Sequence, residues 1–386
     1  MKKDVLKVNL IKILPERSKI HIENNELNNL FYIVKNKSNT LANLSKELSI
    51  NPKNLSRYKT GKRAMPLNIF LRIITLTEID INKLQNKIKI KIYNTGKPLQ
   101  IGPSLEINKD WVYIAELLRG DGHINKRMWY IQFINKDRCL IEFVNNFFLG
   151  LGVPIKQIDL RQRRGIYFLT IRSMLLVHIF KELFNLQPGA RGDVNIPNLI
   201  KNNQTFSTAA IAGFFDAEGN ISAGSKKYPH GRCIRMSTTS LEYLKDIRRM
   251  LAKLNISSKL YSEDRHKFRN IHRLVISHKT SIQNFKENIT ILQSKRAKLL
   301  NILLNSYTDK IAEGSLRKPL LKALYTGSET RSKLATSLNI SKKQVGNQLW
   351  WLKSKKMISV HEKIYSNKGS YFKYKITKKG EQFLLL

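Results

Sequence analysis

The chain has 386 residues, enough for two or three domains of ordinary size. Lys and Arg number 69 against 28 Asp and Glu, so the formal net charge is +41. A compact fold does not need this excess, because like charges repel one another. We therefore predict a polyanionic partner, above all nucleic acid. A lysine-biased genome or a salty cytoplasm is the alternative explanation for the charge.

The composition excludes several classes of protein. Hydrophobic residues make up 42% of the chain, so it can build folded cores and is not a disordered basic tail. Its two cysteines, Cys139 and Cys233, provide neither a disulfide framework nor a paired-cysteine zinc site. No apolar run approaches the ~20 residues of a membrane span, and charged residues interrupt the first fourteen positions. We expect a soluble, cytoplasmic, nucleoid-associated protein without membrane contact.

The first predicted domain covers residues 1–98 and ends before a cluster of Pro and Gly at 98–103. Within its core, residues 40–76, apolar positions recur at helical spacing and are interrupted at Ile50-Asn51-Pro52. This pattern predicts an all-α domain, with two short helices joined by a tight turn and followed by a supporting helix. The segment resembles the Cro/C1-type helix-turn-helix, which implies DNA contacts from Asn54 and Arg57 on the second helix. A helical domain that does not touch DNA is the alternative.

The central segment contains an internal repeat. Residues 114–122 read IAELLRGDG and residues 211–219 read IAGFFDAEG. Each copy predicts an apolar helix that ends in a small residue, an acid and a glycine. Alternating and helical stretches follow both copies, so each half reads as helix, strands, helix, strands, helix. The repeat predicts two similar halves, at 108–206 and 207–306.

The acids at the two helix ends, Asp121 and Glu218, indicate a function. A carboxylate at a helix C-terminus is unfavourable, because that end carries partial negative charge. Gly213 and Ala217 lie four residues apart, so they give one helix a smooth face that a second helix can approach closely. Packing of the two copies in this way places Asp121 and Glu218 side by side, where a divalent cation relieves their repulsion. Oxygen ligands suit Mg²⁺, and we expect Mn²⁺ to substitute for it. The alternative is a pair of solvated loop residues.

The two copies resemble the motifs of LAGLIDADG homing endonucleases, in the form that carries two motifs in one chain. The resemblance covers residues 108–306, about half the chain. It implies an α+β fold in which αββαββα is duplicated about a pseudo-two-fold axis, with two antiparallel sheets that form a saddle over DNA. It also implies metal-dependent cleavage of both strands across the minor groove, which leaves short 3′ overhangs.

Three positions depart from the family pattern. Glu116 stands where the first motif usually has Gly, and Arg119 replaces an acid that the second copy retains as Asp216. Glu218 is glutamate where the family more often has aspartate.

The resemblance also implies roles for individual residues. Asp121 and Glu218 would bind metal and carry the catalysis, with Lys295 and Arg191 as basic residues close to the metals. Plain surface charge is the alternative for the two basic residues. DNA contacts would come from the strands, more from phosphate contact than from base reading. The candidates are Gln132, Asn135, Arg161, Gln162, Arg163, Arg164, Arg172, Arg232, Arg235, Ser237, Arg265, Lys267 and Arg273.

The last predicted domain covers residues 316–386. Three helical stretches precede two alternating stretches that meet at a polar turn near 366–369, and a short helix follows. This order resembles a winged helix-turn-helix. Lys343 and Asn347 lie on the polar side of its third helix and are candidates for DNA contact. A winged helix that binds protein is the alternative.

Together these features predict a free-standing, site-specific, Mg²⁺-dependent endonuclease that cuts double-stranded DNA as a monomer and has no protein partner. An intein is not expected, because a nucleophile is missing at Met1 and the chain ends in Leu386 rather than His-Asn. The main alternative is a transcriptional regulator on the same scaffold that has lost cleavage. An intron RNA maturase ranks third.

Overall fold

The structure is a computed structural model that describes most of the chain. The described residues are 5–16, 18–38, 40–81, 84, 87–91, 99–125, 127, 129–187, 194–224, 231–263, 270–307, 314–366 and 369–385. The fold is α+β, and contacts divide it into two units, Met1–Leu304 and Asn305–Leu386. Within the described ranges, no helix combines the length and apolar content needed to cross a bilayer.

The beginning of the first unit combines a helical group with short strands. The strands are β1 (Leu6–Asn9), β2 (Lys19–Ile22), β3 (Met65–Pro66), β4 (Ile88–Lys91) and β5 (Ser104–Ile107). β3, β2 and β4 form one antiparallel sheet in that order, and β1 pairs antiparallel with β5. The helices are α1 (Asn24–Ser38), α2 (Leu41–Glu47), α3 (Pro52–Lys59) and α4 (Leu67–Thr77). The prediction of an all-α domain over residues 1–98 is therefore wrong, because β1 to β4 lie within it. The sequence analysis did not predict α1 either.

Capping residues define the helices that the sequence did predict. The Thr40 side chain accepts a hydrogen bond from the Asn43 amide at the start of α2, and the Asn51 side chain does the same for Lys53 in α3. Pro52 occupies the first turn of α3, where its missing N–H costs nothing. α2, the turn and α3 therefore follow the predicted helix, tight turn and helix.

The central part repeats one arrangement, αββαββα. The first copy comprises α5 (Lys109–Asp121), β6 (Gly122–Asn125), β7 (Tyr130–Asn135), α6 (Arg138–Gly150), β8 (Ile158–Arg163), β9 (Ile166–Arg172) and α7 (Met174–Phe184). After α8 (Asn198–Lys201), the second comprises α9 (Gln204–Glu218), β10 (Gly219–Ala223), β11 (Arg232–Thr238), α10 (Leu241–Lys253), β12 (Lys259–Glu263), β13 (Ile271–Ile276) and α11 (Lys279–Asn288). α12 (Ser294–Asn305) follows. The sheets are antiparallel with equivalent orders, β6-β7-β9-β8 and β10-β11-β13-β12.

Each sheet has a face that packs on helices and an open face. In the first half, Ile131 and Phe133 of β7 pair with Ile171 and Leu169 of β9, and all four side chains are buried. Residues between them in sequence point the other way, as strand geometry requires. In the second half Ile234 and Met236 of β11 occupy the equivalent buried rows. The helix-facing rows form the core, which leaves the opposite faces available for binding.

The C-terminal unit has its own core. Its elements are α13 (Arg317–Tyr325), β14 (Glu329–Thr330), α14 (Arg331–Ser337), α15 (Lys342–Ser354), β15 (Ile358–Ser366), β16 (Gly369–Ile376) and α16 (Lys378–Leu385). The strands form an antiparallel sheet in the order β14-β16-β15. Leu320, Leu334 and Leu349 belong to the buried cluster between the helices. The predicted polar turn near 366–369 lies between β15 and β16, whose end residues Ser366 and Gly369 are paired, and its residues 367–368 lie outside the described residues.

Candidate active site

The two motif helices, α5 and α9, pack backbone against backbone. A Cβ atom built on Gly213 would lie 2.3 Å from the carbonyl oxygen of Tyr113, and one built on Gly120 would lie 2.1 Å from the Cβ of Ala217. Neither distance leaves room for a side chain. The small residues are therefore what allows the close approach, as their spacing in the sequence predicts.

The acidic residues lie at the same end of this helix pair. Asp121 is the last residue of α5 and Glu218 is the last residue of α9. A Cβ on Gly120 would lie 3.2 Å from Cγ of Glu218, so the Glu218 side chain lies beside the residue that precedes Asp121. Asp121 is half-buried and Glu218 is exposed. The arrangement brings two hard oxygen donors to one surface.

Asn135, the last residue of β7, orients the first of these acids. Its side-chain amide donates a hydrogen bond of 2.8 Å to Oδ2 of Asp121, and its Oδ1 accepts one of 2.8 Å from the Asp137 amide. The side chain is thus held at both ends. The sequence analysis assigned Asn135 to DNA contact, which stays a prediction; its observed contact is with the carboxylate.

Arg296 binds the end of the second motif helix. Its guanidinium donates to the carbonyl oxygen of Phe215 at 2.7 Å and to that of Asp216, both in the last turn of α9. Burial lowers the pKa of Arg296, and the carboxylates of Asp216, Asp121 and Glu218 oppose that shift. A cation at this position offsets the negative end of the helix dipole and the charge of the acids.

The sequence analysis chose the neighbouring residue, Lys295, as the basic partner of the acids. Lys295 is exposed at the start of α12, one position before Arg296. The sequence shows two adjacent basic residues, Lys295 and Arg296, but their charge alone could not show which side chain points inward. The predicted role of Lys295 stays a prediction. The other basic candidate, Arg191, lies outside the described residues.

The two unusual residues of the first motif compensate each other. Nε of Arg119 lies 2.7 Å from Oε2 of Glu116, and both side chains are buried. Arg119 also donates to the carbonyl oxygen of Phe184 at 2.6 Å. Across the halves, the Tyr243 hydroxyl of α10 donates to Glu116. Burial, with the Glu116 carboxylate, raises the pKa of the Tyr243 phenol, which stays protonated as a donor.

The second motif holds its buried acid differently. Asp216 is fully buried, and its Oδ2 accepts hydrogen bonds from the Tyr113 hydroxyl at 2.8 Å and the Leu292 amide at 2.9 Å. Among the described residues its Oδ1 has no hydrogen-bond partner. Burial raises the pKa of Asp216, and these two hydrogen bonds act against the rise. Since Tyr113 belongs to α5, this contact also joins the halves.

The site has donor chemistry for a divalent cation. A cavity of about 110 Å³ lies beside the helix ends and is lined by Glu218, Gly122, His123 and Tyr243 among others, whereas Asp121 is not among its lining residues. No group of three or more His, Cys, Asp and Glu side chains occurs among the described residues. A cation held by Asp121 and Glu218 would therefore take further oxygen ligands from water or phosphate. Two carboxylates fit the oxygen preference of Mg²⁺ and Mn²⁺.

The open face of the first sheet carries several predicted DNA contacts. Gln132 pairs with Thr170 in the register of β7 and β9, and these residues share a face with Arg172 of β9 and with Arg161 and Arg163 of β8. Asp159 holds Arg161 at 2.8 Å and Arg172 at 3.6 Å. The face is therefore basic and partly ordered by its own ion pairs.

The remaining predicted contacts divide by position. Arg235, Ser237 and Arg273 lie on the open face of the second sheet, whereas Arg232 lies in its helix-facing rows. In the first half, Asn135 and Gln162 share a helix-facing row, and Arg164 lies in the exposed turn after β8. Arg265 and Lys267 lie outside the described residues.

The candidates in the flanking helices are accessible in different degrees. Arg57 of α3, and Lys343 and Asn347 of α15, are exposed. Asn54 is half-buried, and its Oδ1 accepts a hydrogen bond of 2.8 Å from Arg63. These observations give their positions and leave their contacts with DNA as predictions.

Comparison with protein families bears on the second half of the central part. Residues 205–290 match the model of the LAGLIDADG-like domain. This chain contains a LAGLIDADG-like domain. The match begins in α9 and ends just after α11, so it covers the second copy of the repeat. The first copy has the same order of elements and the same sheet order as this LAGLIDADG half.

Similar curated proteins share only a segment with this chain. The glutamine–fructose-6-phosphate aminotransferase of Methanocaldococcus jannaschii is 30% identical over 48% of this chain, and the match covers 16% of the relative. The RNA polymerase subunit Rpo1C of the same organism is 25% identical over 59% of this chain and 24% of the relative. The chain thus matches between a sixth and a quarter of these proteins.

Similar solved structures include a homing endonuclease and a protein with an N-terminal LAGLIDADG domain. I-DmoI in complex with DNA and Mn is 20% identical, with a TM-score of 0.36, over 48% of this chain and 97% of that chain. Full-length DUF199/WhiA from Thermotoga maritima is 13% identical, with a TM-score of 0.38, over 64% of this chain and 90% of that chain.

Proposed function

We propose that the protein is a site-specific endonuclease that cuts both strands of DNA with the help of a divalent cation. The observation that carries the proposal is the acid pair, Asp121 and Glu218, at the shared end of two tightly packed motif helices. The family match supports the proposal, as does the name of one similar structure, a homing endonuclease bound to DNA and Mn.

The proposed mechanism begins with binding. DNA would lie over the open sheet faces, where Arg161, Arg172 and Arg235 meet the phosphates and steer the duplex toward the helix ends. Asn135 holds the Asp121 carboxylate in place through its hydrogen bond, so the carboxylate would need no rearrangement when DNA arrives.

Charge balance at the helix ends is the second element of the mechanism. Two carboxylates and a phosphodiester repel each other, and Arg296 places fixed positive charge among them. Asp121 and Glu218 would hold Mg²⁺ or Mn²⁺, which supplies activation of a water and stabilisation of the departing 3′ oxygen. Lys295, exposed beside Arg296, would offset phosphate charge from the solvent side.

The flanking domains would extend the DNA site. We propose a Cro/C1-type helix-turn-helix with core residues 40–76 and a winged helix-turn-helix at 316–386. Deletion of either should weaken DNA binding without abolishing cutting, measured as affinity and cleavage on the same selected duplex. Unchanged affinity after both deletions would contradict this assignment.

The test of the proposal starts with selection of bound sequences from a random DNA library. The selected duplexes are then incubated with the protein in Mg²⁺ or in EDTA, beside an Asp121→Asn, Glu218→Gln protein. We expect metal-dependent double-strand cutting by the native protein, lost by at least about 10²-fold in the variant, as for other charge-stabilising groups. Specific binding without cutting by either protein would overturn the nuclease proposal.

A DNA-binding regulator without cleavage is the second candidate. The exposed polar residues on the helical pairs at both ends of the chain favour it, because such helices bind DNA without any chemistry. The same experiment separates the two functions, since a regulator gives stable complexes in which the DNA stays intact in Mg²⁺.

A further inference from the structure

The hairpin of β15 and β16 in the C-terminal unit exposes more aromatic surface than folding requires. Tyr365 is 74% exposed, Tyr371 is 45% exposed and Phe372 is 40% exposed. These are large apolar side chains near the outer end of two long strands. The base of the same hairpin is different, because Ile358 is buried there and Ile376 and Tyr374 pack against the core. The exposure is therefore confined to the part of the hairpin beyond the core.

The register places two of these rings on one face. Lys363 is paired with Phe372, and Tyr365 is paired with Ser370, so these four side chains point to the same side. A shift in register between Val360 and Glu362 turns Lys363 and Tyr365 toward this face. Phe372 and Tyr374 lie two positions apart on β16 and therefore share a face. That face carries a row of three rings from the exposed end to the core, namely Tyr365, Phe372 and Tyr374. Phe372 and Tyr374 have ring centroids 6.5 Å apart.

Positive charge accompanies the rings. Nζ of Lys363 lies 5.0 Å from the ring centroid of Tyr365. On the opposite face, Lys373 is paired with Glu362 at 2.9 Å, and Lys375 follows two positions later. Residues 305–386 contain seventeen Lys and Arg against five Asp and Glu. The charge favours a polyanion over a neutral partner.

We propose that this hairpin binds unpaired nucleotides of a single-stranded nucleic acid. Exposed rings offer flat faces on which bases stack, and neighbouring lysines meet the phosphates. In a paired duplex each base face is covered by the neighbouring base pair, so aromatic rings of the protein find few faces on which to stack. Unpaired bases leave their faces free for such stacking. The ammonium group of Lys363 attracts the face of the Tyr365 ring, and this attraction adds to the stacking of that ring on a base.

The experiment uses the full chain in EDTA, so that it does not depend on the proposed cleavage. Fluorescein-labelled oligothymidylate and oligouridylate, each fifteen nucleotides long, report binding by anisotropy and separate DNA from RNA. Excess unlabelled duplex occupies the other basic surfaces. The variants are Tyr365→Ala, the conservative Tyr365→Phe, and Tyr325→Ala, which removes a 66% exposed ring of α13 outside the hairpin.

We expect Tyr365→Ala to weaken single-strand binding by about 5- to 150-fold, the loss of one stacked base, while Tyr365→Phe and Tyr325→Ala bind as the native chain does. Ultraviolet cross-linking of an oligonucleotide with 5-iodouracil should attach to the peptide containing Tyr365, Tyr371 or Phe372. Unchanged affinity of Tyr365→Ala together with no cross-link in this peptide would overturn the proposal. So would an equal loss of duplex binding, because the hairpin would then contact paired DNA.

Discussion

The two motif helices perform the same task with different atoms. In the first, a buried charge is neutralised within the helix, where Arg119 pairs with Glu116 at 2.7 Å. In the second, the buried Asp216 relies on neutral donors, and Arg296 binds the helix end from another element. The comparison teaches that close helix packing requires small residues at fixed positions. The buried charges around them can be neutralised by different residues in each helix.

The largest expected effect comes from breaking the buried ion pair of Glu116 and Arg119. Glu116→Ala leaves the Arg119 charge buried and unpaired, which should lower the free energy of unfolding by about 3–5 kcal/mol. The Glu116→Met, Arg119→Met double variant should recover most of the loss, because the two charges disappear together. Chemical denaturation of the native chain, Glu116→Met, Arg119→Met and the double variant gives the coupling energy. Additive losses would show that the pair does not act as a unit.

The next effect tests the feature that both helices share. Gly213→Ala places a methyl group against the Tyr113 carbonyl at a built distance of 2.3 Å, so the helices must separate, at a cost of up to about 3 kcal/mol. Gly150→Ala is the matched control, because nothing lies within 4 Å of a Cβ there. It should leave stability unchanged or raise it by up to about 1 kcal/mol. Similar melting temperatures for both variants would contradict direct backbone packing.

A smaller effect is expected when Arg296 is removed from the end of α9. Arg296→Ala removes the donors to the Phe215 and Asp216 carbonyl oxygens and should lower the free energy of unfolding by about 2 kcal/mol. Lys295→Ala, at the exposed neighbouring position, should change stability by less than about 0.5 kcal/mol. If Lys295 serves the cleavage reaction, its variant loses activity without losing stability, which separates the roles of the adjacent basic residues.

The smallest effect concerns the phenol that joins the halves. Tyr113→Phe removes one hydrogen bond to Asp216 and should cost about 1 kcal/mol at neutral pH. The lost bond opposed the effect of burial, so the pKa of Asp216 rises further. An acid whose pKa is raised in the folded state favours folding in its protonated form, so the penalty should shrink as the pH is lowered. Unfolding at several pH values measures this, and a constant penalty would contradict it.

Short-range patterns predicted the parts of the site that depend on spacing. The repeat at 114–122 and 211–219 located both helix ends, and the small residues predicted their close contact. The Glu116 and Arg119 pair also had a local signal, because residues three apart share a helix face. Their link to Tyr243 had none, since it spans 127 positions.

Other parts of the structure lacked a sequence signal strong enough to predict. The strands β1 to β5 have two to four residues each, too few for a clear alternation. Arg296 could not be distinguished from Lys295, because the choice depends on where α12 begins relative to α9. Asn135 could be recognised as polar at a strand end, but its partner is fixed by the sheet and the helix together.

Pairing of β1 with β5 has a consequence for how the chain is made. Leu6 pairs with Ile107, so the first strand finds its partner about a hundred residues later, immediately before α5. At ~5–20 residues per second, the ribosome takes roughly 5–20 s to deliver β5 after β1. Until then, Leu6 and Val8 have no strand to pair with. A truncation that begins after residue 98 would leave the edge of β5 permanently unpaired, and unpaired strand edges promote aggregation.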